Sequence, residues 1–93
     1  MSIYMITYDL TDGNYDPLIE AIKNIDNNAI HPLESIWIIR TNNNTASMNI
    51  LNNLTRYINE DSKLLVVELS YSNGSCYGLN DSMVASLRRK LNP

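Results

Sequence analysis

Apolar residues recur along this chain with two different periods, which separate predicted strands from predicted helices. Residues 3–8 form a nearly continuous apolar and aromatic run that is rich in β-formers and too short for a stable helix. This run predicts a central strand. In residues 35–41, Ile36, Ile38 and Arg40 share one face of a second strand, and the intervening residues share the other. Because both faces carry bulky apolar groups, we expect both to be covered.

Two further segments complete the predicted strands. Residues 29–33 form a short stretch that Pro32 moves to the edge of a sheet, since proline cannot donate a hydrogen bond to the ladder. Residues 63–69 are rich in β-branched side chains and almost unbroken in apolar character, which is typical of a buried strand.

Three other segments repeat apolar residues every three or four positions, as amphipathic helices do. The first has Asp16 as its predicted N-cap and Pro17 at its first helical position. The second has Thr45 as its predicted N-cap, and the third is capped by Asn80 or Asp81. The three apolar stripes are Leu18, Ile19, Ile22 and Ile25, then Ile50, Leu51, Leu54, Tyr57 and Ile58, and finally Met83, Val84, Leu87 and Leu91.

The resulting order is β, α, β, β, α, β, followed by a short C-terminal helix. With right-handed crossovers, this order places the first two helices on one face of an antiparallel sheet. It therefore predicts an α+β fold of the ferredoxin-like βαββαβ sandwich type. A chain of 93 residues has room for one core, so we expect a single domain over residues 1–93, with a core at 1–70 and a C-terminal extension at 71–93.

The extension and the bare side of the sheet raise the question of partners. The extension contains Asn73-Gly74, a strong turn signal, and its helix needs a surface either on its own sheet or on a second subunit. A small sheet covered on one face leaves its other face wet, and dimerisation is a common way to cover it. A homodimer is therefore the expected assembly.

Charge and cysteine content restrict the partners and the compartment. The formal net charge is −3, which has the wrong sign for a protein that binds nucleic acid over its whole surface. Any contact with nucleic acid is therefore expected to be local. The basic run Arg88-Arg89-Lys90 lies at a predicted helix C-terminus, where we expect it to complement the helix dipole. The single cysteine Cys76, the lack of a recognisable leader and the lack of a long apolar run predict a cytoplasmic protein without a membrane span.

Two carboxylates near the end of the first strand are the best candidates for chemistry. Asp9 ends the strand beside Tyr8, and Asp12 lies in the turn that follows. Carboxylate oxygens in such a position can hold a divalent cation such as Mg²⁺ or Mn²⁺, and two subunits facing each other would bring two Asp9 residues close together. The structural alternative, which we favour, is that Asp9 and Asp12 accept backbone hydrogen bonds as ordinary turn residues.

The other reactive side chains are better explained by structure. His31, Glu34 and Ser35 gather within one bend, but their spacing matches no catalytic motif, so we expect His31 to pack on an aromatic surface and Glu34 to be solvated. Cys76 is interpreted as a bystander thiol. Tyrosines on a sheet face can stack bases, yet Tyr4 and Tyr8 share a strand face that is more typical of a core.

The strings 4–10, 34–39 and 62–69, separated by the two helices, resemble the CRISPR-associated Cas-two family, and more closely its small SinR-like bacterial and phage relatives. The resemblance covers most of residues 1–70 and none of 73–93. It implies a homodimer whose sheets face each other and a strand-ending Asp that binds metal for phosphodiester cleavage in some members. Carried over, that residue is Asp9, with Tyr8 beside it and Ser35 on the middle strand near the dimer seam.

This chain departs from the family pattern directly after the first strand. Thr11, Asp12 and Asn14 replace the basic residues that would meet phosphate. Two hypotheses remain. The favoured one is a non-catalytic homodimeric interaction module, in phage or host defence, that binds a protein partner through a sheet edge or the C-terminal helix. The alternative is a divalent-metal-dependent endonuclease, or a nucleic-acid-binding dimer, that uses paired Asp9 carboxylates.

Overall fold

A computed structural model of the chain describes residues 2–42, 45–69 and 75–91. Along the chain, these residues form β1 (Ser2–Asp9), α1 (Asp16–Ile25), β2 (Ile30–Leu33), β3 (Ile36–Thr41), α2 (Ser47–Leu54), β4 (Lys63–Glu68) and α3 (Asp81–Leu91). The strands pair antiparallel in the order β2-β3-β1-β4. The predicted α+β class with an antiparallel sheet is therefore confirmed, whereas the predicted turn at Asn73-Gly74 lies outside the described residues.

The alternation of side chains along β1 creates the core. Tyr4, Ile6 and Tyr8 point to one face of the sheet and are buried there. Helices α1 and α2 supply Leu18, Ile22, Ile50 and Leu54 to the same cluster, so we call this face the helix side and the opposite face the second face. The tyrosines therefore serve as core residues, as the sequence predicts.

Helices α1 and α2 begin at positions different from those that the sequence predicts. Tyr15 already has helical dihedral angles, so Asp16 is the first residue of α1 rather than its N-cap. Thr45 is not the N-cap of α2, because Ala46 occupies that position and no side chain caps the helix. The Thr45 carbonyl accepts a hydrogen bond from the Tyr4 hydroxyl. A short 3-10 helix, Thr55–Tyr57, replaces the last turn of the predicted second helix and leaves Tyr57 exposed.

Strand β4 is not the buried strand that its apolar sequence predicts. Its only strand neighbour within the described residues is β1, so it forms an edge of the sheet. Leu64 and Val66 pack against the core on the helix side, while Leu65 faces away and is 54% exposed. An apolar run shows that both faces of a strand carry apolar side chains, but it does not show that other elements pack on both faces.

Helix α3 packs in cis on the second face, across β2 and β3. Asn80 Oδ1 accepts a hydrogen bond from the backbone N–H of Met83 at 2.7 Å, which confirms one of the two predicted caps. At the other end of α3, Arg40 Nη2 donates to the carbonyls of Arg89 and Lys90 at 2.8 and 2.9 Å. These bonds satisfy carbonyls that the helix itself leaves without partners.

The basic run at the end of α3 does more than complement a helix dipole. Lys90 Nζ lies 2.6 Å from Asp26 Oδ2 and donates to the carbonyl of Asn28 at 2.8 Å, and both charged side chains are less than a tenth exposed. Asp26 Oδ2 also accepts the backbone N–H of Arg40 at 2.8 Å. We call Asp26, Arg40 and Lys90 the α3 latch, because together they tie α3 to the sheet and to the end of α1.

Replacing Asp26 with Asn should destabilise the fold by about 3 kcal/mol, because the buried Lys90 ammonium loses its counter-charge. The exposed Asp61→Asn is the matched control and should change the free energy of unfolding by less than about 0.5 kcal/mol. Urea unfolding followed by circular dichroism measures both. Adding Lys90→Met to Asp26→Asn should cost less than the sum of the two single changes, and strict additivity would contradict the latch.

The latch also predicts a dependence of stability on pH. Burial alone would raise the pKa of Asp26, but hydrogen bonds from Lys90, from the backbone of Arg40 and from the backbone of Asn28 together lower it below the ordinary 3.8. A carboxyl whose pKa is lower in the folded state stabilises the fold above its unfolded pKa and loses that contribution as the pH falls through its folded pKa. The free energy of unfolding should therefore drop below about pH 4 in the wild type and drop less steeply in Asp26→Asn. Equal slopes would show that Asp26 is not responsible.

Candidate functional site

Asp9 lies at the end of β1 and is exposed on the second face. Its register partner on β4 is Lys63, also exposed, so a carboxylate and an ammonium group flank each other at this end of the sheet. The sheet thus presents adjacent charges of opposite sign here.

Tyr8 points away from Asp9, because successive side chains of a strand alternate between faces. The Tyr8 hydroxyl accepts a hydrogen bond from Trp37 Nε1 at 3.1 Å within the core, and it donates to the carbonyl of Glu34 at 3.5 Å. Its ring contacts Tyr15, with the ring centroids 5.8 Å apart. The adjacent residues Tyr8 and Asp9 are therefore on opposite sides of the sheet.

The environment of Tyr8 keeps its hydroxyl protonated at neutral pH. Burial raises its pKa above the ordinary 10.0, the hydrogen bond from Trp37 opposes this increase, and Tyr15 adds to it. A neutral phenol in a core both accepts and donates hydrogen bonds, and Tyr8 does both. The arrangement is that of a buried structural tyrosine.

Asp12 lies in an exposed turn and has the local role that the structural alternative predicts. Its Oδ1 accepts the backbone N–H of Asn14 at 3.0 Å, and Gly13 between them has a φ of 68°, which a residue with a side chain rarely adopts. The turn is also fixed at Thr11, whose hydroxyl donates to Asn59 Oδ1 at 2.9 Å and whose backbone N–H donates to Ser62 Oγ at 3.1 Å. Sequence reasoning missed this connection because it spans about fifty residues.

Ser35 lies in a turn rather than on the middle strand, which corrects its expected position. Leu33 and Ile36 are register partners, so Glu34 and Ser35 form the two-residue connection between β2 and β3. Glu34 is exposed, as predicted, and its carbonyl accepts the Tyr8 hydroxyl. The turn therefore approaches Tyr8 from the helix side.

His31 packs on an aromatic surface, as the sequence predicts. Its ring stacks on Trp37 with a centroid separation of 4.3 Å and an interplanar angle of 9°. Its Nδ1 lies 2.9 Å from the carbonyl of Ile36, which accepts a hydrogen bond from the ring in the Nδ1–H tautomer. Lys23 Nζ lies 5.8 Å from the centre of the Trp37 ring, within cation–π range.

The described residues do not bring three carboxylate, histidine or cysteine side chains together in a group that could hold a metal ion. Asp9 and Asp12 remain the residues on which the predicted Mg²⁺ or Mn²⁺ site rests. Cys76 is a free, exposed thiol.

The second face carries two rows of side chains that cross all four strands. The outer row, nearest the Asp9 end, is Leu33, Ile36, Thr7 and Leu65, and the inner row is Ile30, Ile38, Met5 and Val67; the members of each row are successive register partners. Ile38 of the inner row is buried, whereas Leu33 and Leu65 of the outer row are each 54% exposed. The outer row is therefore the less covered of the two rows.

Strand alternation could have revealed these rows from the sequence, because Leu33, Ile36 and Leu65 are apolar at positions that face away from the core. What alternation could not supply is the pairing register that aligns them, since it depends on contacts between distant strands.

Comparisons with known proteins do not place the chain in a family: no protein-family model matches it, and no curated protein matches its sequence. Within the described residues, none of the helices combines the length and the apolar character that crossing a bilayer requires.

Tyr8→Phe should lower the free energy of unfolding by about 1–2 kcal/mol, because it leaves Trp37 Nε1 without an acceptor in the core. The matched control is Tyr57→Phe, which removes the same atom from a ring that is 39% exposed and should cost less than about 0.5 kcal/mol. Urea unfolding monitored by Trp37 fluorescence measures both. Equal losses in the two variants would show that the hydroxyl of Tyr8 has no special role.

Proposed function

We propose that this chain is a non-catalytic interaction module that pairs with a second copy of itself through the outer row of the second face. The observation that carries the proposal is the row Leu33, Ile36, Thr7 and Leu65, which is largely apolar, crosses the sheet and is exposed at both ends. Apolar side chains aligned in this way gain free energy when another apolar surface removes them from water.

A second copy fits this surface in charge as well as in polarity. Asp9 and Lys63 are neighbours at the end of the face, directly beyond the outer row. In a two-fold pair each subunit presents the same patch, so the Asp9 carboxylate of one copy can approach the Lys63 ammonium of the other. A patch with both signs at its rim is self-complementary, whereas a patch of one sign would repel its own copy.

The size of the surface sets the expected strength of the pair. Four strands about 4.8 Å apart span about 14 Å, and the two rows add only about 7 Å along the strands. Stable interfaces bury about 800 Å² per partner, so this strip on its own supports a weak, reversible dimer. Concentration therefore decides how much of the protein is paired.

The fold and the family resemblance support the same proposal. The element order and the strand order β2-β3-β1-β4 are those expected of a ferredoxin-like βαββαβ sandwich extended by α3, and we propose that fold for the chain. The resemblance of residues 4–10, 34–39 and 62–69 to the Cas-two family implies dimers whose sheets face each other. A role in phage or host defence is part of this proposal.

Leu65→Asp should weaken self-association at least about tenfold, because pairing would bury two carboxylates against an apolar row. The matched control is Met48→Asp on α2, a residue that is 59% exposed on the other side of the molecule, and it should leave association unchanged. Sedimentation equilibrium from about 10 µM to about 1 mM measures the dissociation constant. Circular dichroism checks that each variant is folded, and Leu33→Asp, at the other end of the row, provides an independent second test.

Three outcomes would contradict the proposal. One is a wild-type protein that stays monomeric over the whole concentration range. Another is equal weakening by Leu65→Asp and Met48→Asp, which would place the interface elsewhere. The third is cleavage of DNA or RNA that requires Mg²⁺ or Mn²⁺ and disappears in Asp9→Asn, which would show that the module is a nuclease.

A further inference from the structure

A second surface, at the opposite end of the sheet from Asp9, has a different chemistry. A cleft of ≈ 810 Å³ opens there between the end of α1, the end of β3 and the start of α2, with Asp26, Arg40 and Lys90 of the α3 latch among its lining residues. This volume lies within the range of small-molecule sites. A ligand bound there would lie at the opposite end of the sheet from the outer row proposed for self-association.

Asparagine side chains dominate the lining of this cleft. Within the described residues, no protein group forms a hydrogen bond with any of their side-chain amides; they are Asn24, Asn27, Asn28, Asn42, Asn49 and Asn53. Elsewhere the chain uses such amides structurally, as Asn59 and Asn80 show. Each amide in the cleft offers both a donor and an acceptor, the pattern that recognises the edge of a nucleobase.

The wall of the cleft adds positive charge and a donor without an acceptor. Arg40 and Lys90 are two cations against the single carboxylate of Asp26, in a chain whose net charge is −3. Arg40 Nε is buried and has no hydrogen-bond partner among the described residues, although Nη2 of the same guanidinium has two. The Arg40 guanidinium carries its charge whichever of its nitrogens is bonded, and an anionic oxygen is the partner that best suits a guanidinium.

A smaller cleft of ≈ 320 Å³ adjoins the first one across the latch. It shares Asn28, Arg40 and Lys90 with the larger cleft and adds Arg89 and Ser86 from α3. The cations of the latch thus line two neighbouring clefts, and six asparagines are among the other lining residues of the larger one. This combination suits a ligand with one anionic end and one end rich in hydrogen-bonding groups.

We propose that the amide-lined cleft binds a mononucleotide, with the phosphate beside Arg40 and Lys90 and the base or ribose among the asparagine amides. The cations attract the phosphate through their charge, and Asn49 and Asn53 of α2 line the same cleft and offer their amides to the rest of the ligand. Lys90 Nζ and Arg40 Nη2 already form hydrogen bonds within the latch, so the free hydrogen-bonding groups of the cleft are the asparagine amides, and the two cations act on the phosphate through their charge.

The test is a titration of the full chain with AMP, GMP, CMP and UMP, followed by ¹⁵N chemical shifts that include the side-chain amides. At least one nucleotide should shift the cleft resonances saturably with a dissociation constant below about 1 mM, and should bind more tightly than inorganic phosphate or the matching nucleoside. Asn53→Ala should weaken that binding at least about fivefold. Asn52→Ala is the matched control, because Asn52 is an exposed neighbour on α2 that does not line the cleft, and it should leave the affinity unchanged.

Each alternative outcome overturns the proposal in a defined way. Absence of saturable shifts with all four nucleotides up to about 10 mM excludes the site. Binding that Asn53→Ala and Asn49→Ala both leave intact places the ligand elsewhere. If inorganic phosphate binds as tightly as the nucleotides, the amides contribute no recognition of the base or the ribose.

Discussion

The carboxylate of Asp26 is the contact on which the arrangement of this small protein most depends. One oxygen receives the ammonium of Lys90 and the backbone of β3, and the other receives the backbone N–H of Asn28 in the turn after α1. Three segments distant in sequence thus meet at one side chain. The apolar residues of α3 are only partly buried, so directed charge contacts position this helix where hydrophobic contact alone would leave it free to slide. The position of α3, in turn, decides which part of the second face stays open.

The sequence predicts the elements well because their signals are local. Alternation identifies β1 with its buried tyrosines, Pro32 marks the edge strand, and helical spacing marks all three helices. Less local features are harder to predict. Lys90 and Asp26 are separated by 64 residues, and a lysine at a helix end is ordinarily solvated, so its burial has no local signal. Likewise, alternation separates Leu65 from Leu64 and Val66, but only the fold shows that β4 is an edge strand and that the face carrying Leu65 is left exposed.

The candidate site illustrates the same limit at the level of chemistry. Tyr8 and Asp9 are adjacent in sequence, which suggests a shared site, but the pleat of β1 places their side chains on opposite faces of the sheet. The sequence predicts Ser35 to be part of the middle strand, but it lies in the turn before β3. The two ends of the sheet have instead become chemically different surfaces. An apolar row lies near Asp9, and a polar, amide-lined cleft lies near Asp26.

The two edges of the sheet also have unequal consequences. Along β2, Pro32 offers no N–H and the register shifts between Ile30 and Leu33, so this edge is a poor template for a further strand. Strand β4 has one strand neighbour in the part of the chain that the structure describes, and it carries Leu64, Leu65, Val66 and Val67 between two charged ends. A fibril grows only if each molecule can pair on both sides. With one edge blocked, pairing through β4 ends after a single step, and this asymmetry protects a chain with such an apolar strand from open-ended aggregation.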